Sequence, residues 1–316
     1  LQIMKENQTY IKEFLMLGFQ TSQIKKILIF TLFLMVYVLT LGGNVLIITL
    51  VLTSNHLRSP MYFFLSNLSV CEIMLTTNVV PNMLYLLLMD CGTMTVVKCF
   101  VQFYFFGTAA TTECFLLAVM SYDRFLAICN PLRYTSVMDQ RLCFNLALTV
   151  WALGFMATIG TIILLCKLEF CGPNVIDHYF CDREPILHLS CSDTFLVRAE
   201  SLVFSFIITL FPFIIIIWSY FSIIVTILKM STTVVRKKAF STCSSHLMVV
   251  SLYYGTLIMM YVAPSSGDSF NVNKLLSLLY TVVTPLLNPI IYSLRNKDIK
   301  NALKLVVQRI LLHAMK

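Results

Sequence analysis

The chain has 316 residues, of which 58% are hydrophobic and only 12% charged. Soluble domains carry roughly a quarter charged residues, so this chain cannot clothe itself in polar surface, and lipid must solvate much of it. Seven spans of about 20 residues would leave only short loops, which excludes a separate soluble domain of ordinary size. The net charge of +8 raises nucleic acid as a partner, but its distribution argues against that.

Residues 1–26 are polar and carry Lys5, Glu6, Lys12, Glu13, Lys25 and Lys26. They show no cleavable leader, so the first span is expected to direct insertion itself. Asn7-Gln8-Thr9 is a glycosylation acceptor in this segment. Asn67-Leu68-Ser69 matches too, but falls inside an apolar run. The first run is Ile27 to Leu52 and the second about Pro60 to Met89, the latter containing Glu72. The third, about Thr95 to Cys129, contains Glu113; the fourth is about Leu142 to Leu165. A polar, cysteine-bearing stretch from Cys166 to about Thr194 follows. The fifth run is Phe195 to Leu228, the sixth about Ser244 to Ala263, the seventh about Leu275 to Leu294. Lipid leaves backbone groups no water to bond, so the runs read as helices, and none alternates as a β-barrel strand would. The expected fold is an all-α membrane protein, a bundle of seven transmembrane helices over residues 27–294. After it, Ile299, Ala302, Leu303, Val306, Val307 and Ile310 recur at helical spacing between lysines, an amphipathic helix suited to a membrane surface within the tail 295–316.

Charge sets the expected orientation. With residues 1–26 outside, the inner segments hold fourteen Lys and Arg against Asp123, Asp139 and Asp298, while the outer ones hold nine cations and ten acids. The basic excess is then a topology signal facing anionic inner-leaflet lipid, and nucleic acid is not needed. The chain is expected in the plasma membrane, multi-pass, with its N-terminus extracellular.

Cys99 falls at the outer end of the third span, and Cys171, Cys181 and Cys191 in the long outer loop, where disulfides persist. A Cys99–Cys181 bond would tie the loop over the bundle and a Cys171–Cys191 bond would close it on itself, but the pairing of four cysteines stays open at this level. A metal site from His178, Cys181 and Asp182 is the alternative.

Particular motifs now narrow the class. Met120-Ser121-Tyr122-Asp123-Arg124-Phe125-Leu126-Ala127-Ile128-Cys129-Asn130-Pro131-Leu132-Arg133-Tyr134 resembles the segment that ends the third helix of olfactory receptors. Lys238-Ala239-Phe240-Ser241-Thr242-Cys243-Ser244-Ser245-His246-Leu247 is similar to that family's entry to the sixth helix. Leu57-Arg58-Ser59-Pro60-Met61-Tyr62-Phe63-Phe64-Leu65 and Pro285-Leu286-Leu287-Asn288-Pro289-Ile290-Ile291-Tyr292 match its second and seventh helices. The three-cysteine loop looks like the tetrapod-type branch. The family usually has Ala at Ser121, Tyr at Phe125 and often Asp at Glu72.

The resemblance implies a rhodopsin-like receptor for a small hydrophobic odorant, acting through the stimulatory olfactory G protein and cyclic AMP. It implies Asp123 and Arg124 as the switch, with Tyr220 and Tyr292 turning inward on activation. On the third helix Phe106, Gly107, Ala110 and Thr111 share a face by helical spacing, Gly107 and Ala110 leaving volume. Phe204, Ile208, Tyr254, Leu257, Tyr261 and Thr281 are the matching family positions, Tyr254 as a toggle beneath the ligand. No charge stands among these ten, which disfavours an amine ligand. Membrane carboxylates default to a functional role, and Glu72 and Glu113, with Asn44 and Asn288 at comparable depth, could hold a sodium ion. The alternative is a pair of protonated acids. No other cofactor is expected. A transporter would show repeats and paired broken helices, a channel a filter loop, and an enzyme a motif such as HExxH, GxSxG or a phosphate loop. None is present.

Overall fold

Long apolar runs whose backbone must bond to itself give the computed structural model of the chain its architecture. It describes residues 11–171, 173–230, 232–262 and 269–314. The first four spans are α1 (Gln23–Thr53), α2 (Pro60–Met89), α3 (Val96–Cys129) and α5 (Gln140–Leu165), with a short helix α4 (Pro131–Val137) between the last two. Local chemistry starts them: Pro60 stands in the first turn of α2, and the carboxylate of Asp139 accepts the Leu142 N–H of α5 at 2.7 Å. The loop after α5 carries another short helix, α6 (Arg183–His188).

The fifth span joins α7 (Phe195–Ser205) to α8 (Phe211–Lys229) through a π-turn at Phe206–Leu210. The sixth is α9 (Thr233–Val262), and the seventh joins α10 (Ser269–Leu278) to α11 (Thr284–Arg295) through a π-turn at Leu279–Val283. Six of these seven helices are long and apolar enough to cross a membrane by length and composition, and α9 holds a shorter apolar stretch, Cys243–Ile258. Each π-turn precedes a proline, Pro212 or Pro285. Proline has no N–H for the carbonyl four residues back, and a widened turn lets the next donor reach it. Lipid-facing positions such as Leu28, Phe144 and Phe221 stay exposed on the outside of the bundle.

Most spans lie where the apolar runs place them. The sixth differs: α9 begins at Thr233, eleven residues before the expected Ser244, because Arg236 and Lys237 continue the helix past the apolar zone. Residues 11–22 are also more than a polar tail. Strand β1 (Glu13–Met16) pairs antiparallel with β2 (Gly92–Thr95) and parallel with β3 (Val175–Ile176) of the long loop, forming a sheet ordered β2-β1-β3. Phe14 and Met16 are fully buried beneath it. Gly18 follows at φ +60°, and a Cβ there would also press to 3.0 Å from Leu86, so both backbone and space call for glycine. After the seventh span, α12 (Lys297–Ala314) buries Ile299 and Ala302 and exposes Lys300 and Lys304, the amphipathic pattern of its sequence.

Close approach between spans depends on small residues. A Cβ at Gly154 would lie 2.2 Å from the Thr112 hydroxyl, so α3 and α5 pack nearly backbone to backbone there. Gly43 likewise admits Pro289 against the first span. Pro289 leaves the Pro285 carbonyl without its helical donor, and the Asn44 amide supplies one at 3.3 Å.

Candidate ligand cavity and switch

At one end of the bundle the long loop is pinned down. Cys99 bonds Cys181, with Cα atoms 5.4 Å apart, and Cys171 bonds Cys191 at 5.9 Å. With Cys181 in a disulfide, the alternative metal site at His178, Cys181 and Asp182 loses its thiolate, and no metal-ligating cluster occurs among the described residues. The Cys181 N–H donates to Gln102 at 2.9 Å and Asn82 donates to the Tyr179 carbonyl at 2.9 Å. Lys274 of α10 donates to Asp177 at 2.5 Å and to the Gly18 carbonyl at 3.0 Å, joining loop, N-terminal segment and seventh span. Lys26 pairs with Asp90 beside them. His178 is buried, and desolvation lowers its pKa to about 4 against the opposing pull of Asp182 and Asp177. Asn7 lies outside the described residues.

Beneath this roof is a cavity of two adjoining lobes, about 230 and 220 Å³. Phe103, Phe106, Gly107, Ala110, Arg183, Ser205, Tyr253 and Leu257 wall both. The first lobe adds Thr111, Phe204 and Ile208, and the second adds Leu75, Glu113, Asp182 and Tyr280. Of the ten positions expected to meet a ligand, seven stand in this wall. Thr281 instead bonds the Tyr179 hydroxyl at 3.1 Å under the loop, and the side chain of Tyr261 lies outside the described residues.

Tyr254 is not in the wall of either lobe: its ring packs 4.7 Å from Phe213 of the fifth span. Its neighbour Tyr253 faces the cavity, donating to the Ala110 carbonyl at 3.2 Å and touching the Cys114 sulfur at 2.9 Å. Both tyrosines lie within a turn of Leu257, so helical spacing alone does not choose between them. Gly107 lines the cavity, but a Cβ on it would meet Thr158 at 2.8 Å, so it chiefly lets α5 approach. That approach brings Ala157, Thr158 and Thr161 into the first lobe, a fourth-span contribution not anticipated. Nor is the wall free of charge, since Arg183, Asp182 and Glu113 all reach it.

Deeper in the bundle Glu72 and Glu113 are both buried and close enough to act on each other electrostatically. The Asn288 amide donates to Glu72. Oxygens of Glu72, Glu113 and Asn288 remain buried without a hydrogen-bond partner, an all-oxygen donor set of the kind hard cations take. Asn44 is not part of it, being bonded to the Thr40 and Pro285 carbonyls.

At the opposite end Arg124 donates through Nε to Asp123 at 2.9 Å and through a second nitrogen to the same oxygen. The other oxygen of Asp123 accepts the Tyr134 hydroxyl of α4 at 2.9 Å. Burial, then Asp123, push the Tyr134 phenol upward, so it stays a donor. Tyr220 bonds His246 of the sixth span at 2.6 Å, and Tyr292 is fully buried. Both tyrosines already point into the bundle in this form, so an inward turn on activation would start from buried positions. Phe125 packs 4.7 Å from Trp218. Asn67 is bonded to Trp151 at 3.1 Å within the bundle, which removes it as a glycosylation acceptor.

Seven apolar spans, a cavity of small-molecule size under a pinned loop and a buried ion pair at the far end define a seven-transmembrane receptor. The family model described as "Olfactory receptor" matches residues 33–313. Human Olfactory receptor 6B1 is 46% identical over 299 residues, 95% of this chain and 96% of that one. Human Olfactory receptor 10A7 is 46% identical over 97% of each chain, and mouse Olfactory receptor 5G29 46% over 96% and 97%. The chain belongs to the olfactory receptor family, a family of membrane-embedded receptors rather than enzymes.

Proposed function

We propose that the receptor binds a small, mainly apolar odorant in the two-lobed cavity and signals through a stimulatory olfactory-type G protein, raising cyclic AMP. The cavity carries this reading: Phe106, Ala110, Phe204, Ile208 and Leu257 form an apolar wall with a few hydroxyls, the makeup of small-molecule sites. The disulfide end then faces outside, with the N-terminal segment extracellular, and the Arg124 end faces the cytoplasm, in accord with the basic charge there. The organisation is an outer segment at 1–26, the bundle at 27–294 and a cytoplasmic helix and tail at 295–316.

Arg124, closed on Asp123, is the resting switch. A ligand that binds the open form better shifts the population toward it, freeing the guanidinium for the G protein. Arg124→Ala should abolish odorant-evoked cyclic AMP at unchanged surface amounts; a normal response would overturn the switch role.

The unpartnered oxygens of Glu72, Glu113 and Asn288 favour a second feature, a sodium ion held among them. Two neighbouring buried carboxyls call for a shared proton or a cation between them, and sodium would supply that charge. Glu113→Gln is expected to flatten the dependence of basal signalling on sodium, and an unaltered dependence would select the shared proton.

A further inference from the structure

Arg183 opens α6 two residues after Cys181, so the roof disulfide fixes where its side chain hangs. It reaches both lobes, and its Nε is buried with no hydrogen-bond partner. The nearest acid, Glu184, stands 3.6 Å from that nitrogen, beyond bonding distance. The other oxygen of Glu184 is engaged by Arg198 at 3.0 Å. Glu184 is thus bonded to Arg198 and only an ion-pair neighbour of Arg183, whose side chain is 32% exposed while its Nε stays unpaired. Among the described residues, Arg183 is the only charged side chain in the wall of the first lobe, whereas Asp182 and Glu113 belong to the second. A buried donor without an acceptor is unfavourable, and the planar fork of arginine matches a carboxylate through two parallel bonds.

We propose that Arg183 sets ligand specificity: the first lobe takes a molecule with a carboxylate head on the guanidinium and an apolar body against Phe204, Ile208 and Leu257. A dry cavity of about 150 Å³ holds benzene. The 230 Å³ of this lobe therefore suits roughly nine to ten non-hydrogen atoms. The proposal rests on the odorant-cavity reading above.

The test uses cells expressing the full chain, challenged with octanoate, phenylacetate, octan-1-ol and octylamine, with cyclic AMP and surface amount both measured. At least one acid should activate at lower concentration than octan-1-ol. Arg183→Gln should raise the half-maximal acid concentration about tenfold or more, the loss of a charge-assisted bond, while moving octan-1-ol less than about threefold. Arg183→Lys, which keeps the charge but not the fork, should fall between. Silence toward both acids, octylamine as the strongest agonist, or equal losses for acid and alcohol would overturn the assignment. Ala110→Leu separates the two readings. An acid response lost in Ala110→Leu but untouched in Arg183→Gln rejects only the role of Arg183. A response untouched in both rejects the cavity as well.

Discussion

The two ends of the bundle are held together by different physics. The disulfide end combines two covalent links, a three-stranded sheet, and the Lys274–Asp177 and Lys26–Asp90 ion pairs. Its parts come from distant stretches of chain: residues 13–18, 82–102, 171–191 and 274 meet within one roof. The Arg124 end has no covalent link among the described residues and is held by apolar packing and separate polar contacts: Arg124 and Tyr134 on Asp123, Tyr220 with His246, and Tyr62 on Asp298. On the proposed function, a cavity that must keep its shape lies under the first, and a contact that must break lies at the second.

The contrast can be sharpened or broken by experiment, and the largest effect belongs to the roof. The Cys99–Cys181 bond closes 82 residues and Cys171–Cys191 closes 20. Loop-closure entropy assigns them about 4.5 and about 3 kcal/mol. Cys99→Ser should therefore lower surface amount and thermal stability more than Cys171→Ser; the reverse order would show that the roof is not held mainly by its tie to α3.

Acid comes next. His178 is neutral when folded, with its pKa at about 4, whereas an unfolded histidine titrates near 6.5. Above pH 6.5 neither state binds the proton and nothing is lost. As pH falls from 6.5 toward 4 the unfolded state gains protons first, so stability declines by up to about 3 kcal/mol. Melting temperatures of the purified receptor across that window should fall, and His178→Gln should flatten the trend. A decline that persists in His178→Gln would put the acid sensitivity elsewhere.

The smallest effect is at the far end. Tyr134→Phe removes one hydrogen bond to Asp123, about 1 kcal/mol or fivefold in the closed-to-open ratio. Basal cyclic AMP should rise by that order with surface amount unchanged. No rise would mean that Tyr134 does not hold the switch closed.

What the sequence makes legible divides along similar lines. Apolar runs mark the spans because lipid demands length and hydrophobicity, signals carried by neighbours in the chain. The four-residue strand at Glu13–Met16 is too short for such a signal, and its burial is decided by β2 and β3. The N-terminal turns of α9 are not legible in the apolar pattern, because basic residues carry the helix past the apolar zone. In the cavity, spacing on α3 identifies one wall, but Thr158 and Thr161 look like ordinary helix polarity until Gly107 brings α5 close. Arg183 reads as one more loop charge, and only the disulfide fold-back turns it inward.

Two phenol groups bond the sixth span to its neighbours, Tyr253 to the Ala110 carbonyl and Tyr220 to His246. Seven residues separate these tethers, roughly 10 Å of helix rise. Each is worth on the order of 1 kcal/mol, and the upper one sits in the cavity wall itself. Two bonds of that size would together favour the docked position of this span by roughly thirtyfold. A molecule held in the cavity would meet the upper bond directly, and the lower one only through the helix between them.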